Sequence, residues 1–328
     1  MELNRRALYN SLRMNWILDP TIEVEAWQVE DYRSMPLDGL FERLEEMDIR
    51  LDKVTFTAFA DTFDSPEELT EALVVDEDKD EKHLDQVYLI VFELWRRLVP
   101  EKLALTVLCD EIDHQIHLYD QGHHEALEAM SDTLANLQVV LDENTDEGAD
   151  PHEAFDCINS GCANDIESFL HDFISEKIDE EDYAYASDLI EGFGSYMHDE
   201  KWFEFLRARL VSVTDPDEAN DIVKKLINGK PGSSDLDFNL EVLSFLVIVG
   251  ERETFEKLVK QTVAMIETEE DFQALVSISA DFYHRIDKEQ IESQLQGLLK
   301  KREKVSLEQP FDLKDAQLVD FFKILSLR

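Results

Sequence analysis

Residues 199–227 read DEKWFEFLRARLVSVTDPDEANDIVKKLI. The stretch holds two candidate helices, one starting near Asp199 and one near Asp215. The second start is spelled out by Thr214-Asp215-Pro216-Asp217-Glu218. A side chain is available to cap, a proline occupies the first turn where its missing N–H costs nothing, and acids sit at the positive end of the helix dipole.

Outward from this pair the pattern repeats. Candidate helices start near Asp165, Glu181, Asp199, Asp215, Asp235, Arg252, Glu269 and Asp287. Alternate members, 165, 199, 235 and 269, are separated by 34, 36 and 34 residues; the other set, 181, 215, 252 and 287, by 34, 37 and 35. Thr268-Glu269-Glu270-Asp271 and Asp287-Lys288-Glu289-Gln290 are further start signals. A last helix over Asp312–Leu325, with Leu318, Phe322 and Leu325 on one face, is placed to cap the series.

A two-helix period of this size resembles tetratricopeptide-type and HEAT-type arrays over roughly residues 165–302, where pairs stack because no pair buries its apolar face alone. The match is one of period. The tetratricopeptide signature of Trp, Leu-Gly, Tyr, Ala and Pro is not met, and Trp202 and Gly192 fall at other positions. The resemblance implies an all-α fold of stacked antiparallel helix pairs, α-solenoid-like, preceded by an N-terminal helical unit.

That unit takes up the first hundred residues. Helices are expected over Arg5–Ile17, over Leu37–Met47 and around Val54–Phe63, and Ser65-Pro66-Glu67-Glu68 starts another. Val24–Val29 alternates enough to permit one short strand, and Val75–Lys82 is a charge run read as a loop. Val87–Leu98 is apolar nearly all round, as a buried helix would be. After Pro100 a helix is expected from Glu101, with Leu105, Leu108, Ile112, Ile116 and Tyr119 as its stripe, closed by Gln121-Gly122. The next carries Leu127, Met130, Leu134, Leu137 and Leu141, and Asp142–Pro151 reads as a polar loop. Three segments follow: an N-terminal helical unit (1–82), an acidic helical hairpin region (83–148) and a helical-repeat array with its capping helix (149–328).

Composition agrees with helices. Ten glycines and eight prolines in 328 residues are too few for a β-sandwich or a doubly wound sheet. The odd set Cys109, Cys157 and Cys162 is not a disulfide framework and suggests a reducing compartment. The longest apolar runs, Val87–Phe92 and Phe245–Val249, are too short to span a bilayer. A cytoplasmic protein is expected.

Charge is the extreme property. Thirty-one Lys+Arg face 75 Asp+Glu, a net of −44. Residues 101–200 hold only Lys102 and Lys177 against 27 acids, a net of −25, whereas residues 1–100 net −13 and 201–328 net −6. Such a charge repels nucleic acid and anionic membranes and favours a basic protein or peptide.

The densest polar cluster is Asp110-Glu111-Ile112-Asp113-His114-Gln115-Ile116-His117, followed by Asp120, His123 and His124. Glu111 and His114 have the acid-x-x-His spacing of di-iron bundles, which need a second copy and more inward carboxylates. At about 100° per residue, Asp110, His114 and His117 lie opposite the apolar stripe and are expected at the surface. Asp110, Asp113, His114, His117 and Asp120 are therefore candidate partner contacts. Trp202 joins them from an aromatic zone with Tyr183, Phe193, Tyr196, Phe203 and Phe205, because aromatics dominate interface hot spots.

No Gly-rich phosphate loop, Gly-x-Ser-x-Gly elbow or His-Glu-x-x-His motif occurs. No cofactor is expected. The expected function is a non-enzymatic interaction module, scaffold or chaperone-like protein with an acidic surface for a basic partner. The alternative is a carboxylate/histidine metal enzyme centred on residues 111–117.

Overall fold

The computed structural model describes residues 4–74, 80–102, 104–123, 127–229 and 235–326. Among them regular structure is helical: seventeen α-helices, two 3-10 turns and one isolated antiparallel bridge, Thr268 to Pro310. No helix among the described residues is long and apolar enough to cross a membrane. The chain divides into two compact units, Met1–Leu170 with Ser195–Met197, and His171–Gly194 with His198–Arg328.

The first unit contains α1 (Arg5–Leu18), α2 (Leu37–Glu46), α3 (Lys53–Ala60), α4 (Pro66–Leu73) and α5 (Glu81–Leu98). It continues with α6 (Leu105–Asp120), α7 (Leu127–Asp146), α8 (Pro151–Asn159) and the first turn of α9 (Ile166–Asp179). Leu40, Leu44, Phe56 and Leu69 share one apolar core with Val87 through Phe92, so residues on both sides of position 82 pack together. α5 lies at its centre, with Val87 to Trp95 all buried, as its all-round apolar sequence required.

The second unit contains α10 (Tyr183–Phe193), α11 (Glu200–Val211), α12 (Pro216–Ile227), α13 (Leu236–Val249), α14 (Arg252–Val263), α15 (Glu269–Arg285), α16 (Glu289–Arg302) and α17 (Ala316–Ile324). α11 packs on α12, α13 on α14 and α15 on α16, while α11 also meets α13 and α13 meets α15. This is a stack of helix pairs in which every second helix contacts its counterpart in the next pair. Phe205, Phe238, Leu246, Phe255, Phe272 and Phe282 fill the seam.

Helix starts follow the side chains expected to make them. Asp215 accepts from the Glu218 N–H with Pro216 in the first turn, Thr268 forms a capping box with Asp271, and Ser65 caps α4. Helix ends explain the scarcity of glycine. After α2, α9 and α15 the left-handed position is taken by Asp48 (φ 65), Glu181 (φ 65) and Asp287 (φ 55). In each case the next N–H bonds back across the turn: Ile49 to the Leu44 carbonyl, Asp182 to Lys177 and Lys288 to Tyr283.

Four local expectations are corrected. Val24–Val29 holds no strand but a 3-10 turn, Ala26–Gln28, closed by a capping box between Glu25 and Gln28. The helix expected from Glu101 begins at Leu105. α7 runs on to Asp146, into the supposed loop, with the Asn144 and Thr145 side chains turned back onto the Val140 and Leu141 carbonyls. The missed α8 starts with Asp150 capping and Pro151 in the first turn. Within the charge run Val75–Lys82, positions 75–79 lie outside the described residues, and Asp80 already caps α5.

Candidate functional site

The acid-rich cluster on α6 is not at the surface. Asp110 and Asp113 are each 3% exposed. The Asp110 carboxylate accepts from Arg6 Nε at 2.6 Å, from Asn10 Nδ2 at 3.0 Å, and from Arg33 Nη2 at 2.7 Å. Arg33 reaches Glu111 with its other nitrogen at 3.0 Å, and Gln115 donates to Glu111 at 2.7 Å. Burial would raise the Asp110 carboxyl, but the two guanidiniums outweigh it and hold the group well below the usual carboxylate range.

Asp113 does a different job. Its carboxylate accepts from the Ala163 and Asn164 backbone N–H groups at 2.9 and 3.0 Å, from Asn164 Nδ2 at 2.8 Å and from Asn10 Nδ2 at 3.2 Å. It pins the turn between α8 and α9. Burial dominates those bonds and pushes its carboxyl above the ordinary value. His114 is half-buried, and burial together with the nearby Arg33 cation lowers its imidazole from 6.5 to about 4.

The expectation that this face is exposed is thus overturned for Asp110 and Asp113. The helical wheel assumes one buried face, whereas α6 is covered on two sides: α7 and α8 take its apolar stripe, and α1 takes its polar side. Arg6 and Arg33 supply the counter-charge there and Asn10 a neutral hydrogen-bond donor, and none of the three was singled out in the sequence. The signal lay in the sparse cations of an acidic chain, which burial recruits first.

Of the other candidates, His117 is half-buried beside Gln121 at 2.9 Å and Asp120 is exposed. Asp110, Asp113, His114 and His117 do converge on one cleft, walled by Arg6, Asn10, Arg13 and Arg33. At about 50 Å³ it has room for a few waters rather than a substrate. Trp202 is half-buried in the second unit, edge-on to His171 at 4.7 Å and to Phe238 at 4.9 Å, against the apolar core. Phe193, Tyr196, Phe203 and Phe205 are buried, so most of the aromatic zone is packing.

The cysteines pair differently from their sequence spacing. Cys109 and Cys162, both buried, lie side by side; the Cys109 contact and burial push the Cys162 thiol far up. A Cβ on Gly161 would stand 2.9 Å from Cys109 Sγ, so a larger residue there would crowd the Cys109 thiol. Cys157 is exposed. Among the described residues no three His, Cys, Asp or Glu side chains are grouped to hold a metal ion. Compared with protein-family models, curated proteins and solved structures, the chain matches none.

Proposed function

We propose that the chain is a non-catalytic binding module, a helical array of the tetratricopeptide or HEAT kind whose acidic exterior takes a basic protein or peptide. The observation that supports this is the fate of the two cations in residues 101–200. Lys102 turns inward, its Nζ donating to the Ala60 and Phe63 carbonyls at 2.7 and 2.9 Å. Lys177 is 5% exposed, bonded to Glu180 and lying 5.1 Å from the Phe173 ring. Acids remain outside: Asp132, Glu143, Asp146, Glu147, Asp150 and Glu153 are all exposed.

A segment that contributes exposed acids and no outward lysine or arginine of its own attracts cationic partners over a Debye length of about 8 Å at physiological salt. It disfavours nucleic acid and anionic membrane as direct ligands, and a cytoplasmic scaffold or chaperone-like role fits it. The metal-enzyme reading centred on 111–117 has less behind it, since Glu111 is already shared by Arg33 and Gln115. The test is titration of the protein with a lysine-rich peptide at low and high salt. The reading expects binding that weakens steeply as salt rises; absence of binding at low salt contradicts it.

A further inference from the structure

Beside the acidic exterior of the first unit lies an apolar groove. α6, α7 and α8 leave about 230 Å³ between them, lined chiefly by Leu105, Leu108, Val140, Ala154, Cys157 and Ile158. Leu105 is 40% exposed. The neighbouring α7 residue Val139 is 54% exposed, so the apolar character continues onto the surface. An apolar hollow of this size open to water is more than the single exposed leucines of any protein surface.

Its surroundings are charged in one sense. On α7 the lining stripe runs through Val140; Asp132 and Glu143 stand eight residues before it and three after it on the same side of the helix, and Glu147 follows in the turn that ends α7. On α8, Glu153 stands four residues before Cys157, and Asp150, which caps the helix, four before Ala154. All five acids are exposed. None of the five forms an ion pair among the described residues, and Lys102, just before α6, is held by the Ala60 and Phe63 carbonyls.

We propose that this groove is where the basic partner docks: one apolar side chain of the partner fills the hollow, and lysines or arginines on either side of it meet the acidic rim. This rests on the binding-module reading and names its contact. Burial of the anchor supplies affinity, while the rim supplies steering and orientation, the usual division of labour between an apolar interface centre and its charged edge.

Cys157 makes the groove testable, because it lines the hollow and is exposed, whereas Cys109 and Cys162 are buried. The probes are three synthetic peptides: one leucine flanked on each side by two lysines, the same with alanine for leucine, and the same with glutamines for lysines. Binding is followed by fluorescence anisotropy, and alkylation of Cys157 by N-ethylmaleimide is followed by peptide mass analysis. The leucine–lysine peptide should bind and slow Cys157 alkylation several-fold. Replacing its leucine by alanine should weaken binding by at least tenfold, from the lost burial of one large side chain. Cys157→Trp, at an exposed helical position, should reduce leucine-peptide binding to the level of the alanine peptide with the circular dichroism unchanged. If the leucine and alanine peptides bind alike and leave Cys157 reactive, the groove is not the contact, although the acidic-surface reading survives. If the glutamine peptide protects Cys157 as well as the lysine peptide does, the rim plays no part and the inference falls. Failure of both lysine peptides to bind overturns the groove and the wider reading together.

Discussion

Arg33 grips Asp110 at 2.7 Å while Arg6 takes the other oxygen of the same carboxylate at 2.6 Å, joining α1, the 3-10 turn Tyr32–Ser34 and α6 through one buried charge. Removing a single partner of such a group leaves the others uncompensated in a poor solvent for ions. Asp110→Ala should therefore cost about 3–5 kcal/mol of unfolding free energy, read from urea denaturation. Asp120→Lys, ten residues further along the helix but exposed, should shift it by about 0.5 kcal/mol or less. Equal effects at the two positions would contradict the burial described for α6.

His114 gives the first unit an acid sensitivity of known sign. Its folded-state value, about 4, lies below the ordinary 6.5, so the unfolded chain binds the proton more readily between those limits. Stability contributed by this group is complete above about pH 6.5 and is lost as pH falls towards 4. His114→Gln should flatten the fall in melting temperature between pH 7 and 4 relative to the parent chain. An unchanged or steeper profile would mean that the imidazole is not held neutral by its surroundings.

Three helix ends carry an acid in the left-handed conformation, which a side chain resists and glycine does not. Asp287→Gly should raise stability by about 1 kcal/mol, since Asp287 has φ 55 and Lys288 already closes the turn onto Tyr283. Asp48→Gly should do likewise for α2. A loss at either site would show that the aspartate side chain supports the turn in some way its backbone does not reveal.

Trp202 separates a core residue from a contact residue. Its ring meets Phe238 and His171 edge-on and packs on the second unit's core, so Trp202→Ala should cost about 2–3 kcal/mol. The affinity for a lysine-rich peptide should stay as it was. A large loss of affinity with little loss of stability would move the contact to this ring.

How far the sequence was legible depended on whether the deciding interactions were local. The starts of α11 to α15 fell within a residue of their signals, because a cap and a first turn are made by neighbours in the chain. Asp287 misled by two positions for the same local reason in reverse: it ends α15 in the left-handed region, and α16 begins at Glu289. The polar network on α6 was not legible. Arg6 and Arg33 lie 104 and 77 residues from Asp110, and no pattern within α6 announces that its polar side is covered by α1. Likewise Cys109 and Cys162, 53 residues apart, meet where α6 passes close to Gly161 after α8, a contact no local pattern announces.

On the proposed reading, the charge of the α7–α8 region is a contact and not only a solvating surface. Two variants of equal charge test it most directly: Asp132, Glu143, Glu147 and Glu153 changed to Lys, and the exposed second-unit acids Glu241, Glu253, Asp281 and Glu289 changed to Lys. The measurement is the affinity of each for the leucine–lysine peptide at physiological salt. The account predicts that the first variant loses binding while the second keeps most of it. Equal losses would mean that only net charge matters, and that the acidic middle of the chain is no more than a solvated face.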